Sequence, residues 1–75
     1  MPNDTPQVVP EIEARFTYHA PKGDQPDRYA RIRGNAKQLA YVIWQSCPDS
    51  CERASALTKL DEVVMHANAA IARNE

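Results

Sequence analysis

SALTKLDEVVMHANAAIARNE (residues 55–75), taken with FTYHAPKGDQP (16–26), decides how this chain folds. The first stretch places Leu57, Leu60, Val64, Ala67 and Ile71 three and four residues apart, the spacing of one helix face. It also carries a run of small residues, Ala67, Ala69, Ala70 and Ala72. The second stretch is broken by Pro21 and Gly23 and is aromatic and basic, so it reads as a loop. One packing helix and one aromatic-basic loop describe a binding module. Convergent acid, base and nucleophile groups are too few for an enzyme.

Outward from these stretches, Pro26 to about Ser46 predicts a long helix. Tyr29, Ile32, Ala36, Leu39, Ala40, Ile43 and Cys47 make its stripe. Asp24 or Gln25 is the expected cap, ahead of Pro26. Gly34 and Asn35 weaken the helix locally, by about 1 kcal/mol relative to alanine. Pro48 stops it. The next helix then starts in the SCPDSC turn, with Ser46 or Cys47 as its cap and Asp49 in its first turn. Arg73 falls in its last turn, where a cation suits the helix dipole. Pro10 followed by Glu11 and Glu13 predicts a short leading helix. Residues 1–9 are expected to be a flexible tail, and 10–75 a single helical-hairpin domain. The fold class is all-α: a short N-terminal helix plus an antiparallel two-helix hairpin.

Seventy-five residues without a disulfide framework support only a marginal lone core. Val42, Trp44, Val63 and Met65 lie off the seam. Either the N-terminal turn folds back over them or they meet another copy, and the small-residue run favours the second. A homo-oligomer is therefore expected. No apolar run approaches the roughly 20 residues that span a bilayer, and the N-terminus lacks the charged start and apolar stretch of a signal peptide. A soluble, cytoplasmic protein is expected.

The net charge is −1, which excludes a global field for nucleic acid. The charge is uneven, however. Between Arg15 and Lys37 six bases face two acids, a local excess of four positive charges. This marks either a solvated helix face or an anion site for a small phosphate-bearing ligand. Tyr18 and His19 precede the basic helix. A tyrosine face stacks on a nucleobase and neighbouring cations hold phosphates; the alternative is a tyrosine that covers the hairpin end. His19, His66, Cys47 and Cys51 match no usual zinc spacing, and the two cysteines read as reduced turn and core thiols. Ser46 or Ser50 with Asp49 and a histidine shows no nucleophile elbow. Met65 with Trp44 reads as core, and no glycine-rich phosphate loop is present. No metal, no cofactor and no catalytic residue is expected.

FTYHAPKGDQP, the helix Tyr29–Ile43, the CPDS turn with ERASALTKL, and VMHANAAIAR (64–73) resemble the phage anti-CBASS sponge family, short helical hairpins that sequester bacterial cyclic-oligonucleotide signals. Ala20 and His66 stand where the family commonly has a proline and a tryptophan. The resemblance implies hexamers that bind cyclic dinucleotides, such as 3',3'-cGAMP, in pockets between protomers, and in some members cyclic trinucleotides in separate pockets, without cleaving them. It implies that Tyr18 stacks on a base and that Arg33 or Lys37, four apart on one helix face, meets a phosphate. Arg73, with Asn35 near it, is the candidate for a trinucleotide pocket. The implied setting is the cytoplasm of an infected bacterial host. Two other readings stay open. One is a small helical DNA-binding or regulatory protein using YARIRGNAK (29–37); the other is a purely structural oligomerisation module.

Overall fold

The structure, a computed structural model, describes residues 8–75. Most of the expected tail, residues 1–7, lies outside the described residues. Three helices follow in order: α1 (Pro10–Phe16), α2 (Gln25–Ser46) and α3 (Cys51–Asn74). No strand occurs among the described residues.

α1 starts at Pro10, whose fixed φ suits a first helical position, with Glu11 and Glu13 in its first turn. Glu11 pairs with Arg15 one turn on, at 3.3 Å. The helix ends as Thr17 turns extended, with φ −104° and ψ 136°. His19 then donates from Nε2 to the Ala14 carbonyl at 3.0 Å, satisfying a carbonyl that helix termination leaves without a partner. Gly23 takes φ +59°, the left-handed conformation that glycine adopts at no steric cost.

α2 begins one residue earlier than its stripe suggests. Asp24 holds the cap position but makes no capping bond; its carboxylate pairs with Arg28 at 3.1 Å. Gln25 makes the local bonds instead. Its side-chain oxygen accepts from the Lys22 N–H at 3.1 Å, and its own N–H donates to the Lys22 carbonyl at 3.0 Å. Gln25 is the one buried residue among those described, and its amide also donates to Glu75 at 3.2 Å, so both its oxygen and its nitrogen have a partner. α2 continues unbroken through Gly34 and Asn35.

Pro48 forces its predecessor out of the helix, and Cys47 sits at φ −107°, ψ 139°. That corrects the expected start of α3. Neither Ser46 nor Cys47 caps it; Ser50 does, accepting from the Arg53 N–H at 3.1 Å. Asp49 therefore lies ahead of the helix, and Glu52 takes the first turn.

α2 and α3 run antiparallel along a seam of half-buried residues. Ile32, Ala36, Ala40 and Ile43 face Leu57, Leu60, Val64, Ala67 and Ile71. Leu39 and Cys47, expected on this stripe, are exposed. The two alanines centre the seam, so Leu39 falls at its edge, and Cys47 has already left the helix. A clamp closes each end of the hairpin. At the turn, Arg53 donates to the carbonyls of Trp44 and Cys47, both at 3.3 Å, while its guanidinium stands 3.8 Å from the Trp44 ring centroid. At the open end, Arg28 grips Glu75 with two N–H groups, one at 2.7 Å.

That grip, joined by the Gln25 amide, lowers the Glu75 carboxyl from its ordinary 4.5 to about 2 and raises the Arg28 guanidinium. A depressed carboxyl stabilises the fold fully above its unfolded pKa and loses that contribution as pH falls toward the folded one. The urea midpoint of the parent should therefore exceed that of Glu75→Gln by a constant margin at neutral pH. The margin should shrink to nothing between pH 4.5 and about 2. A margin that stays constant down to pH 2 would refute the pairing.

No apolar side chain is buried among the described residues. Val42, Trp44, Val63 and Met65 stay exposed, so α1 does not fold back over them.

Candidate functional site

A shallow cleft of about 500 Å³ lies at the open end of the hairpin, where the loop 17–24 meets α2 and α3. Each wall has a local cause. On α2, Tyr29 and Arg33 are one turn apart and point the same way. On α3, Asn68, Ala69, Ala72 and Arg73 share a face, and the two alanines keep the floor low enough for a planar group to approach. The loop, made irregular by Pro21 and Gly23, presents Tyr18 at 83% exposure. A tyrosine that covered the hairpin end would be buried, so in this chain Tyr18 has an unoccupied face. Arg15 closes the cleft from the end of α1, and its carbonyl accepts from Arg73 Nη2 at 3.4 Å.

The electrostatics follow from the lining. Arg15, Arg33 and Arg73 contribute guanidinium groups, and among the described residues no carboxylate lines the cleft. Arg15 shares its charge with Glu11. Among the described residues Arg33 has no carboxylate partner, so its donors remain available. Two aromatic rings beside three guanidinium groups suit a planar base carrying phosphate. His19 lines the cleft with its Nε2–H already engaged by Ala14.

Of the residues singled out from sequence, the structure brings Tyr18, Arg33 and Arg73 together. Lys37 lies outside this cleft, along a neighbouring groove that Arg33 also borders. Asn35 is exposed on α2 and lines neither. In the single chain Arg73 shares the Tyr18 cleft, with Asn68 beside it, and Asn35 does not line that cleft. The reason is helical phase, since Asn35 lies two residues beyond Arg33 and points away. Arg15, Tyr29 and Asn68 also line the cleft, although none of them was among the expected ligand-binding residues. The Tyr29–Arg33 spacing of four was a usable signal, but Tyr29 also fitted the seam. Asn68 carried none, although its Oδ1 is buried there without a hydrogen-bond partner. The four residues of the zinc set do not converge: His19 sits at the open end of the hairpin and Cys47 and Cys51 at the turn.

No match was found among curated proteins or among solved structures. A family model described as Acb2/Tad1, hairpin domain, matches residues 9–72. The match takes in α1, the aromatic loop, all of α2 and nearly all of α3, and it ends one residue short of Arg73. With three helices in the expected order, the helical hairpin at its centre and most of the chain matched, this protein belongs to the Acb2/Tad1 hairpin-domain family, the anti-CBASS sponges that its loop and final helix resemble.

Proposed function

We propose that this protein binds cyclic oligonucleotide second messengers, cyclic dinucleotides first, and withholds them from the bacterial effectors they activate. It would act as a phage anti-defence protein in the cytoplasm of the infected host. The observation that carries this reading is the cleft: two tyrosines and three arginines converge with no carboxylate in the lining. Bases stack on aromatic faces, and phosphate oxygens take charge-assisted hydrogen bonds from guanidinium groups. Family membership supports the same reading.

The lining supplies no carboxylate and no cysteine, and its histidine nitrogen is already bonded, so binding without cleavage is the chemistry proposed. Self-assembly, as a hexamer, completes the proposal. Its support is the hairpin's lack of any buried apolar side chain among the described residues, together with its exposed Val42, Trp44, Val63 and Met65. A symmetric assembly also offers a ligand with two bases and two phosphates two copies of each side chain from one gene. Among the described residues no helix is long and apolar enough to cross a membrane.

Calorimetry tests the proposal against cyclic dinucleotides, cyclic trinucleotides and linear dinucleotides. Tight binding of cyclic forms is expected, with the ligand recovered intact after the protein is denatured. Equal affinity for linear and cyclic forms, or linear product appearing with purified protein, would overturn it.

A further inference from the structure

A second concavity runs along the hairpin, away from the ligand cleft and toward the turn. It is an open groove of about 570 Å³ between α2 and α3, with Ala36 and Ala40 on one wall and Leu57, Leu60 and Val64 on the other. Its rims differ in sign: Arg33 and Lys37 on α2, Asp61 on α3. Among the described residues nothing fills it.

The same chain carries an apolar edge with nothing against it. Val9, at the cap position ahead of α1, and Ile12 and Phe16 within it are spaced three and four apart and are 41%, 52% and 81% exposed. This is the pattern by which an amphipathic helix lies in an apolar groove. Glu13 stands beside that edge and, like Lys37, has no ion-pair partner among the described residues.

From these two surfaces we infer that α1 of one copy of this chain docks into the α2–α3 groove of a second copy. The shapes match, an apolar ridge against an apolar trough. The charges match as well: an acid flanks the ridge, and the α2 rim of the trough is basic. Because the α3 rim carries Asp61, the fit has a direction, with Glu13 toward Lys37. The occupant is a second copy because each chain holds its own α1 at the open end of its hairpin. Arg73 on α3 holds it there by donating to the Arg15 carbonyl, while His19 ties α1 to its own trailing loop through the Ala14 carbonyl. The docking rests on the self-assembly proposed above and names the surfaces that meet. Since Arg33 borders both the groove and the ligand cleft, a helix seated in the groove would wall one side of that cleft.

A charge-swap cycle tests it, read by light scattering coupled to size exclusion over a dilution series, with circular dichroism confirming helicity. Glu13→Lys and Lys37→Glu should each raise the concentration at which the assembly dissociates, by about ten-fold or more. The double variant should recover the parent's mass, and Phe16→Ala should weaken assembly without any change of charge. An oligomeric parent whose variants all keep its mass, or a double variant that stays dissociated, overturns the docking and leaves self-assembly standing. A monomeric parent overturns both. A monomer in which Phe16→Ala lowers the melting temperature would show α1 seated on its own groove, which also overturns the docking.

Discussion

Replacing Tyr18 by alanine should remove most of the affinity for a cyclic dinucleotide and leave the fold unchanged. The two halves of this expectation have separate grounds. Stacking of one base on an aromatic side chain is worth about 1–3 kcal/mol. If an assembly presents two Tyr18 rings to one ligand, the loss doubles to about 2–6 kcal/mol, since each base loses its platform. The fold is spared because Tyr18 is 83% exposed, so its ring packs against little that alanine would uncover. Arg33→Ala should cost about 1.5–3 kcal/mol per lost charge-assisted hydrogen bond. Arg73→Ala should weaken binding as well, since Arg73 lines the same cleft. Lys59, a cation on α3 outside the cleft lining, supplies the control: Lys59→Ala should bind as the parent does. Calorimetry with a cyclic dinucleotide, alongside melting curves, reads all four. Parental affinity in Tyr18→Ala would remove the stacking role. Loss of both affinity and melting temperature would return Tyr18 to a structural one.

The second large effect lies in the seam. Ile32→Asp should abolish most helical structure at 25 °C, while Arg31→Asp, its exposed neighbour on the same helix, should keep it. Ile32 is half-buried between α2 and α3, where a carboxylate loses hydration and finds no designated partner. Uncompensated charges in such positions cost about 3 kcal/mol or more. A single core of this size rarely supplies more than about 3–5 kcal/mol, so one such loss consumes nearly all of it. Far-UV circular dichroism and urea titration decide the matter. An Ile32→Asp variant with the parent's midpoint would mean that the α2–α3 seam is not what holds the hairpin.

The contrast between Arg33 and Lys37 shows where reading the chain reached its end. Both are cations, four residues apart and on one helix face, and nothing local separates them. Their difference is set by α3, whose Ala69, Ala72 and Arg73 lie beside Arg33, whereas Leu57, Leu60 and Val64 lie beside the groove where Lys37 stands. Tyr29 was ambiguous in the same way, fitting both the seam stripe and the cleft wall. The start of α3 failed for a different reason. Ser46 and Ser50 are both acceptable caps by type, and only the break that Pro48 imposes after Ser46, with Cys47 extended, leaves Ser50 to make the bond.

What the sequence determined by itself was everything governed by neighbours within a turn or two. The 3.6-residue stripes of α2 and α3 are local, as are Pro10 and Pro26 near helix starts, Pro48 after a helix end, and Gly23 in the loop. These settle three helices, a hairpin and an exposed aromatic loop. The tertiary structure alone decided which distant groups meet. Arg28 finds Glu75 across 47 residues, and Arg73 reaches Arg15 across 58. Such pairs depend on how far α3 runs back along α2 and in what rotational phase, and a shift of one residue turns a helix face by about 100°. The cleft assembles from α1, the loop, α2 and α3 at once. It therefore exists only after that phase is set by Ala36 and Ala40 lying against Leu57, Leu60 and Val64, a packing choice that no short stretch of sequence contains.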